Sequence, residues 1–426
     1  MATSVEIPPA AVLINAQCLT NSSSGAVVRA RARVNEPLDP KSRLVLVDAI
    51  RGLAIFGILW VNVFLRSDPL QLSVLSSDHD MLSWLVALTG TLKFRSMFAF
   101  LFGLGLAMQS GRAADDKKFV HTYMRRLGIL VLFGVLHFAF LWPGDILVMY
   151  TLCGMLLVSF RKVAVKRLLI IGSIFLLMAM GQQIIGSHIF NPKVLKADLV
   201  AAYPIYQHGT FWQITERRVH DYLMFWTPAL WMTFPCVFAM MVFGMAFAKQ
   251  QYFRRVEFHL VLWRRLCWIG YLVGIPLNAY FATWSIASDR SPAFTITAKI
   301  AQALGAPILC MAYLATMVVL SQTKLGKQAL KWLAPVGRMS ISAYLGHSIV
   351  CSGLFYGYGL GWFGQVTKAQ DVLLCCALFV AEILFANAWF KFFKMGPIEW
   401  TWRWGTYGVR PAFLATGDVD VRRVTA

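Results

Sequence analysis

Residues 44–65, LVLVDAIRGLAIFGILWVNVFL, form an apolar run long enough to cross a bilayer, yet they include Asp48, Arg51 and Asn62. A helix needs about 20 apolar residues to span the roughly 30 Å hydrocarbon layer. Ionisable groups within such a helix are costly unless they face protein or water. At about 100° per residue, Asp48 and Arg51 (i, i+3) share a face, and Asn62 returns to that face three turns after Arg51. One side of the helix is thus polar at both ends and apolar between, and it is predicted to look into a protein cavity.

The rest of the chain repeats the apolar theme. Of its 426 residues, 58% are hydrophobic and 14% charged, well below the roughly one quarter charged in soluble domains. The runs are continuous and do not alternate, so a β-barrel is excluded. The expected fold is an all-α polytopic bundle of about ten membrane helices. They cover residues 44–65, 81–109 (with a break at LKFRS), 127–142, 146–160, 168–185, 222–248, 266–284, 300–320, 341–358 and 372–393. Small residues let membrane helices approach closely, and Gly103 and Gly105 are expected to do so. Pro228 and Pro235 are expected to kink the sixth span. Residues 1–40 read as a disordered tail, 41–410 as one membrane domain with an extracytoplasmic insertion at 187–221, and 411–426 as a second tail. The run AVLINAQCL lacks the flanks of a cleavable signal, so the first span is expected to start insertion. No internal repeat is evident.

The net charge of +20 would suit nucleic acid if it lay along one soluble face. Instead, 29 of the 40 Lys and Arg fall in one alternating set of connections: the amino-terminal tail, 112–126, 161–167, 249–265, 324–338 and the carboxy-terminal tail. The opposite set holds eight. Positive residues mark the cytoplasmic side, so both termini are predicted cytoplasmic, and nucleic acid is not expected as a partner. The cysteines, at 18, 153, 236, 267, 310, 351, 375 and 376, lack metal-ligand spacing and read as small apolar residues. No metal and no permanently bound cofactor is expected.

This topology sets depth. Asp48 and Arg51 lie toward the cytoplasm and Asn62 toward the far side. His137 lies eleven residues beyond Arg126, roughly 16 Å along a helix. A membrane imidazole serves either as a general base or nucleophile or as an interhelical hydrogen-bonding group. Asp145 would cap the next helix, or also hold the His137 tautomer. Lys93 and Arg95 read as an anionic-substrate site or as a pair snorkelling to the interface. His347 would face the cavity or pack, and Glu382 would partner a buried base or carry a proton. Arg403, in FFKMGPIEWTWRWGTYG, belongs to an aromatic and basic stretch that would anchor the tail or bind a donor.

The segments VDAIRGLAIFGILWVN, KFRSMFAFLFGLG, HFAFLWPGDILVMYTLCG, GRMSISAYLGHSIVCSGLFYGYGLGWFG and GPIEWTWRWGTYG resemble the YeiB-like family of bacterial inner-membrane proteins, a domain-of-unknown-function family. The resemblance runs from about residue 44 to 410. It implies location in the bacterial inner membrane and a distant similarity to transmembrane acyltransferases, which take acyl groups from cytoplasmic acyl-CoA. In the acyltransferase-three branch, a histidine follows the first-helix arginine by eleven positions. Here Asn62 holds that place after Arg51. The heparan-acetylating branch is similar in having asparagine there and a working histidine elsewhere, which points to His137.

The expected function is therefore transfer of an acyl group, to oxygen or nitrogen, from acyl-CoA to a glycan or small-molecule acceptor. Asp48, Arg51 and Arg403 would bind the donor, His137 and Asp145 would carry the chemistry, and Asn62, Lys93, Arg95, His347 and Glu382 would line the cavity. The alternatives are a proton-coupled permease built on Asp48, Arg51 and Glu382, or a non-catalytic scaffold among membrane lipids. Whether the chain is an enzyme stays open at this point.

Overall fold

The computed structural model describes residues 45–72, 80–189, 192–288 and 290–415. The expected tail at 1–40 and residues 416–426 lie outside them. The described residues build helices and no strand. Apart from a single turn at Pro69–Leu72, in chain order the α-helices are α1 (Val45–Ser67), α2 (Met81–Thr89), α3 (Lys93–Ser110), α4 (Asp116–Phe140), α5 (Leu147–Val158), α6 (Val165–Ile189), α7 (Pro192–His208) and α8 (Phe211–Asp221). There follow α9 (Thr227–Lys249), α10 (Leu260–Ile286), α11 (Pro292–Leu320), α12 (Lys324–Arg338), α13 (Ser340–Phe355), α14 (Lys368–Phe392) and α15 (Pro397–Tyr407).

The protein is an all-α polytopic membrane bundle. Eight stretches are long and apolar enough to cross a membrane. The fourth and ninth expected spans are shorter than expected, with 12 residues in α5 and 16 in α13. Local sequence explains both. The Pro143–Gly144–Asp145 turn delays the start of α5 until Leu147, and the glycine-rich GYGLGWFG stretch follows the end of α13 at Phe355. α1, α9 and α11 are largely buried, whereas α6, α10 and α14 show most of their apolar surface to the outside. The exposed helices are the lipid-facing ring, because hydrocarbon solvates such side chains as well as protein does.

Packing between helices depends on small residues where backbones meet. A Cβ on Gly103 would fall 1.8 Å from the Met241 carbonyl oxygen, and one on Gly244 would fall 1.9 Å from that of Phe100. The α3/α9 crossing is thus closed reciprocally by two glycines. Gly105 has a different role from the one expected, since no neighbouring backbone closes on it and a Cβ there would only touch Arg51 Nη2 at 3.5 Å and Gln109 Nε2 at 3.9 Å. The distortion expected at Pro228 appears one turn earlier, as a π-helical turn over Tyr222–Trp226, where the Thr227 hydroxyl donates to the Tyr222 carbonyl at 2.8 Å.

The 187–221 insertion is helical over α7 and α8. Thr210 and Gln213 form a capping box at the start of α8. The insertion is tied to the loop after α13: the Gly357 amide donates to the Tyr206 carbonyl, and Gln207 Nε2 donates to that of Phe363, both at 2.8 Å. Within it, Arg217 bridges Asp198 and Asp221, with His220 beside them. The two carboxylates therefore share one guanidinium.

Candidate functional site

A cavity of about 340 Å³ is walled by α1, α3, α4, α5, α12, α13 and α15. Its mouth carries Arg51, Arg112, Arg126, Arg338 and Arg403 against the carboxylates of Asp48, Asp115 and Glu399. The mouth is therefore net positive, with five arginines against three carboxylates. Inside, the lining turns apolar with Ile55, Ile58, Phe98, Leu101 and Phe102. The far end is closed by Ile146, Leu147, Tyr150 and Tyr344.

The mouth is held in shape by its own polar contacts. Arg51 Nη1 lies 3.2 Å from Asp48 Oδ1, as the i, i+3 spacing predicts. Arg126 sits 4.1 Å over the Trp402 ring and donates to Gln109 Oε1 at 2.5 Å, while Trp402 Nε1 donates to the Arg126 carbonyl at 2.9 Å. These contacts fasten α15 to α4. Glu399 accepts from the Ile341 amide at 2.7 Å and from the Ser342 hydroxyl at 2.5 Å, capping the start of α13. Burial pushes its carboxyl above the ordinary range, and the hydrogen bonds from Ser342 and Ile341 oppose the shift.

Beyond the closed end of the cavity lies a buried polar chain. His137 and Asp145 are fully buried, and Nδ1 lies 2.8 Å from Asp145 Oδ1. The other carboxylate oxygen, Oδ2, accepts from the Val148 amide at 2.9 Å. Asp145 therefore fills both roles its position allows, helix cap and histidine partner. On the opposite side of the ring, Nε2 lies 2.8 Å from the Ser348 hydroxyl. An ionised carboxylate only accepts, so Nδ1 carries the ring proton and a neutral ring offers Nε2 to the serine. Ser348 Oγ also accepts from Arg66 Nη2 at 2.6 Å. Tyr344 lies one turn before Ser348 on α13, and its ring centroid is 4.8 Å from that of His137. A single aromatic side chain thus separates the cavity from the chain Asp145–His137–Ser348–Arg66.

The structure brings Asp48, Arg51 and Arg403 together at the cavity, and His137 with Asp145 just past it. The other expected lining residues lie elsewhere. Asn62 is half-buried and does not line the cavity, because on α1 the lining stops at Ile58, one turn short. Lys93 does not snorkel: its fully buried ammonium donates to the Ala87 carbonyl at 2.7 Å, capping the C-terminal end of α2. Arg95 borders a separate hole of about 10 Å³. His347 and Glu382 pair with each other, Nε2 to Oε2 at 2.8 Å, outside the cavity.

Sequence reasoning missed Ser348, Arg66 and Tyr344. Ser348 directly follows His347, one of the residues expected at the cavity. Adjacent helical residues point about 100° apart, so the histidine turns to α14 while the serine turns to α4.

Residues 247–409 match the family described as "Protein of unknown function (DUF418)". Over nearly its whole length the chain is also similar to "Uncharacterized protein YxaH" of Bacillus subtilis (strain 168), with 33% identity over 398 residues covering 87% of this chain and 96% of that protein. The chain belongs to the YeiB-like DUF418 family. "Uncharacterized protein YeiB" of Escherichia coli (strain K12) is 30% identical over 389 residues, covering 85% of this chain and 95% of that protein. "Uncharacterized 39.9 kDa protein in amylase 3'region" of Bacillus acidopullulyticus is 26% identical over 388 residues, covering 90% of this chain and all of that protein. In this DUF418 member, the family match takes in α13 and α15, which supply Tyr344, Ser348, Glu399 and Arg403.

Proposed function

We propose that this DUF418 protein is an acyltransferase of the bacterial inner membrane, which moves an acyl group from cytoplasmic acyl-CoA to an acceptor at the opposite end of the bundle. One observation carries the reading: a single cavity joins an arginine-lined mouth to an apolar interior, and its closed end packs on His137 through Tyr344. Guanidinium groups suit phosphates, which they bind in planar, charge-assisted pairs. The apolar interior suits an acyl chain and the arm that carries it. His137 would act as general base, with its tautomer held by Asp145.

The test is acyl-CoA binding and CoA release by protein in lipid nanodiscs, with acetyl-, octanoyl- and palmitoyl-CoA. Gly105 offers a clean perturbation, because it lines the cavity and a Cβ there would make only ordinary contacts, with Arg51 Nη2 at 3.5 Å and Gln109 Nε2 at 3.9 Å. Gly105→Ala should bind like the parent, whereas Gly105→Trp should fill the cavity and lose binding. No binding by the parent at any chain length would overturn the reading.

A further inference from the structure

Resting on that reading, we propose that Ser348 is the nucleophile that carries the acyl group, so that transfer proceeds through a serine ester and not directly from donor to acceptor. The geometry is that of an activated hydroxyl: a nucleophile within reach of a base whose other nitrogen is held by a carboxylate. Ser348 Oγ to His137 Nε2 and His137 Nδ1 to Asp145 Oδ1 are both 2.8 Å, and all three side chains are buried. A histidine serving only as a packing group does not need this arrangement on both nitrogens.

Arg66 supplies the second observation. Its Nη2 donates to Ser348 Oγ at 2.6 Å, and its guanidinium lies 4.5 Å from the Trp142 ring centroid. Its Nε and Nη1 are buried and have no oxygen or nitrogen acceptor among the described residues, and the Cys351 thiol also lies against the guanidinium. Unused N–H donors beside a nucleophile stabilise negative charge that develops on an attacked carbonyl oxygen. Such buried donors are costly to leave unpaired, so a role in which they acquire a partner accounts for them.

In the first half-reaction Ser348 Oγ attacks the thioester carbonyl and its proton passes to His137 Nε2. The carbon–sulfur bond breaks, and the departing thiolate takes that proton and leaves as the free thiol. In the second, an acceptor hydroxyl or amine gives its proton to His137 and attacks the serine ester. Ser348 leaves as the alkoxide and recovers the proton. Tyr344 stands between cavity and serine, so its ring moves aside for the carbonyl to arrive.

The experiment uses a long-chain alkyl fluorophosphonate, which forms an oxygen–phosphorus bond with an activated serine and releases fluoride. Protein in nanodiscs is treated with the probe and mapped by peptide mass spectrometry. The adduct is expected on Ser348, absent in Ser348→Ala, at least ~100-fold slower in His137→Ala, and unchanged in Ser352→Ala, a buried serine one turn away that donates to the Leu141 carbonyl. Ser348→Cys guards against a folding defect in the alanine variant and should yield a hydroxylamine-labile thioester on treatment with octanoyl-CoA. A folded parent with no adduct on Ser348, or an adduct whose rate ignores His137, overturns the proposal. The two readings fail separately. Labelling at Ser348 without acyl-CoA binding removes the donor and keeps the nucleophile, whereas CoA release that persists in Ser348→Ala removes the nucleophile and keeps the donor.

Discussion

Asp145→Asn separates a structural hydrogen bond from a chemical one. Asp145 accepts two buried hydrogen bonds, from His137 Nδ1 at 2.8 Å and from the Val148 amide at 2.9 Å. Asp145→Ala leaves both donors without an acceptor, and at about 1–3 kcal/mol for each buried orphan the loss is roughly 2–6 kcal/mol. Asparagine keeps the shape and one acceptor oxygen. If that oxygen caps Val148, its amide N–H faces Nδ1, and the ring then accepts there and carries its proton on Nε2. That proton points at Ser348 Oγ, which already accepts from Arg66, and the serine turns its own proton to the Tyr344 carbonyl 3.2 Å away. Every bond stays made, so the asparagine variant should lose about 1 kcal/mol or less. Its Ser348, however, can no longer pass a proton to His137. Thermal melts in nanodiscs should place Asp145→Asn near the parent and Asp145→Ala well below it. Phosphonylation of Ser348 in Asp145→Asn should fall by up to about four orders of magnitude, the scale seen when a triad histidine is held in the wrong tautomer. Labelling of Asp145→Asn at the parental rate would refute the reasoning and reduce the Ser348–His137 contact to a structural bond.

Two further perturbations probe the same region. Tyr344→Ala removes the ring between cavity and serine and should speed labelling of Ser348 by the long-chain probe; an unchanged rate would mean that the probe arrives by another route. Glu399 tests the mouth by pH: its carboxyl is raised by burial, so its contribution to stability is complete below the ordinary value of about 4.5 and is lost as pH climbs through the raised one. Glu399→Gln stays neutral and should therefore gain on the parent in melting temperature as pH rises above about 4.5, and a constant difference would contradict the assignment.

The bundle was legible because its signals are local and strong: apolar runs of bilayer length, and basic clusters in alternate connections. The Asp48–Arg51 pair was legible too, since i, i+3 spacing on one helix fixes proximity without tertiary information. His137 with Asp145 was within reach for a similar reason, the PGD turn returning the chain eight residues later. Contacts of long sequence separation were not readable. Ser348 meets His137 across 211 positions and Arg66 across 282, and nothing in periodicity marks one serine in an apolar helix. Lys93 misled because a lysine at the end of an apolar run resembles a snorkelling anchor, and only the break between α2 and α3 exposes the carbonyl that it caps.

The two arginines of α1 set a length that the donor must satisfy. Arg51 stands at the mouth and Arg66 on Ser348, fifteen residues apart, which is roughly 22 Å of helix rise. A donor whose phosphates rest among the mouth arginines can acylate Ser348 only if its carbonyl sits at the end of an arm of about that length. Acyl-CoA carries its thioester on an extended arm, whereas in acetyl phosphate the carbonyl is bonded directly to the phosphate oxygen. Acetyl-CoA should therefore acylate Ser348 while acetyl phosphate, equally reactive chemistry without the arm, should not. The comparison is read as acetyl mass on the Ser348 peptide, at matched concentrations and with no acceptor present. Equal acetylation by both would mean that Ser348 is reached from near its own depth, and the cavity mouth would then have no part in presenting the donor.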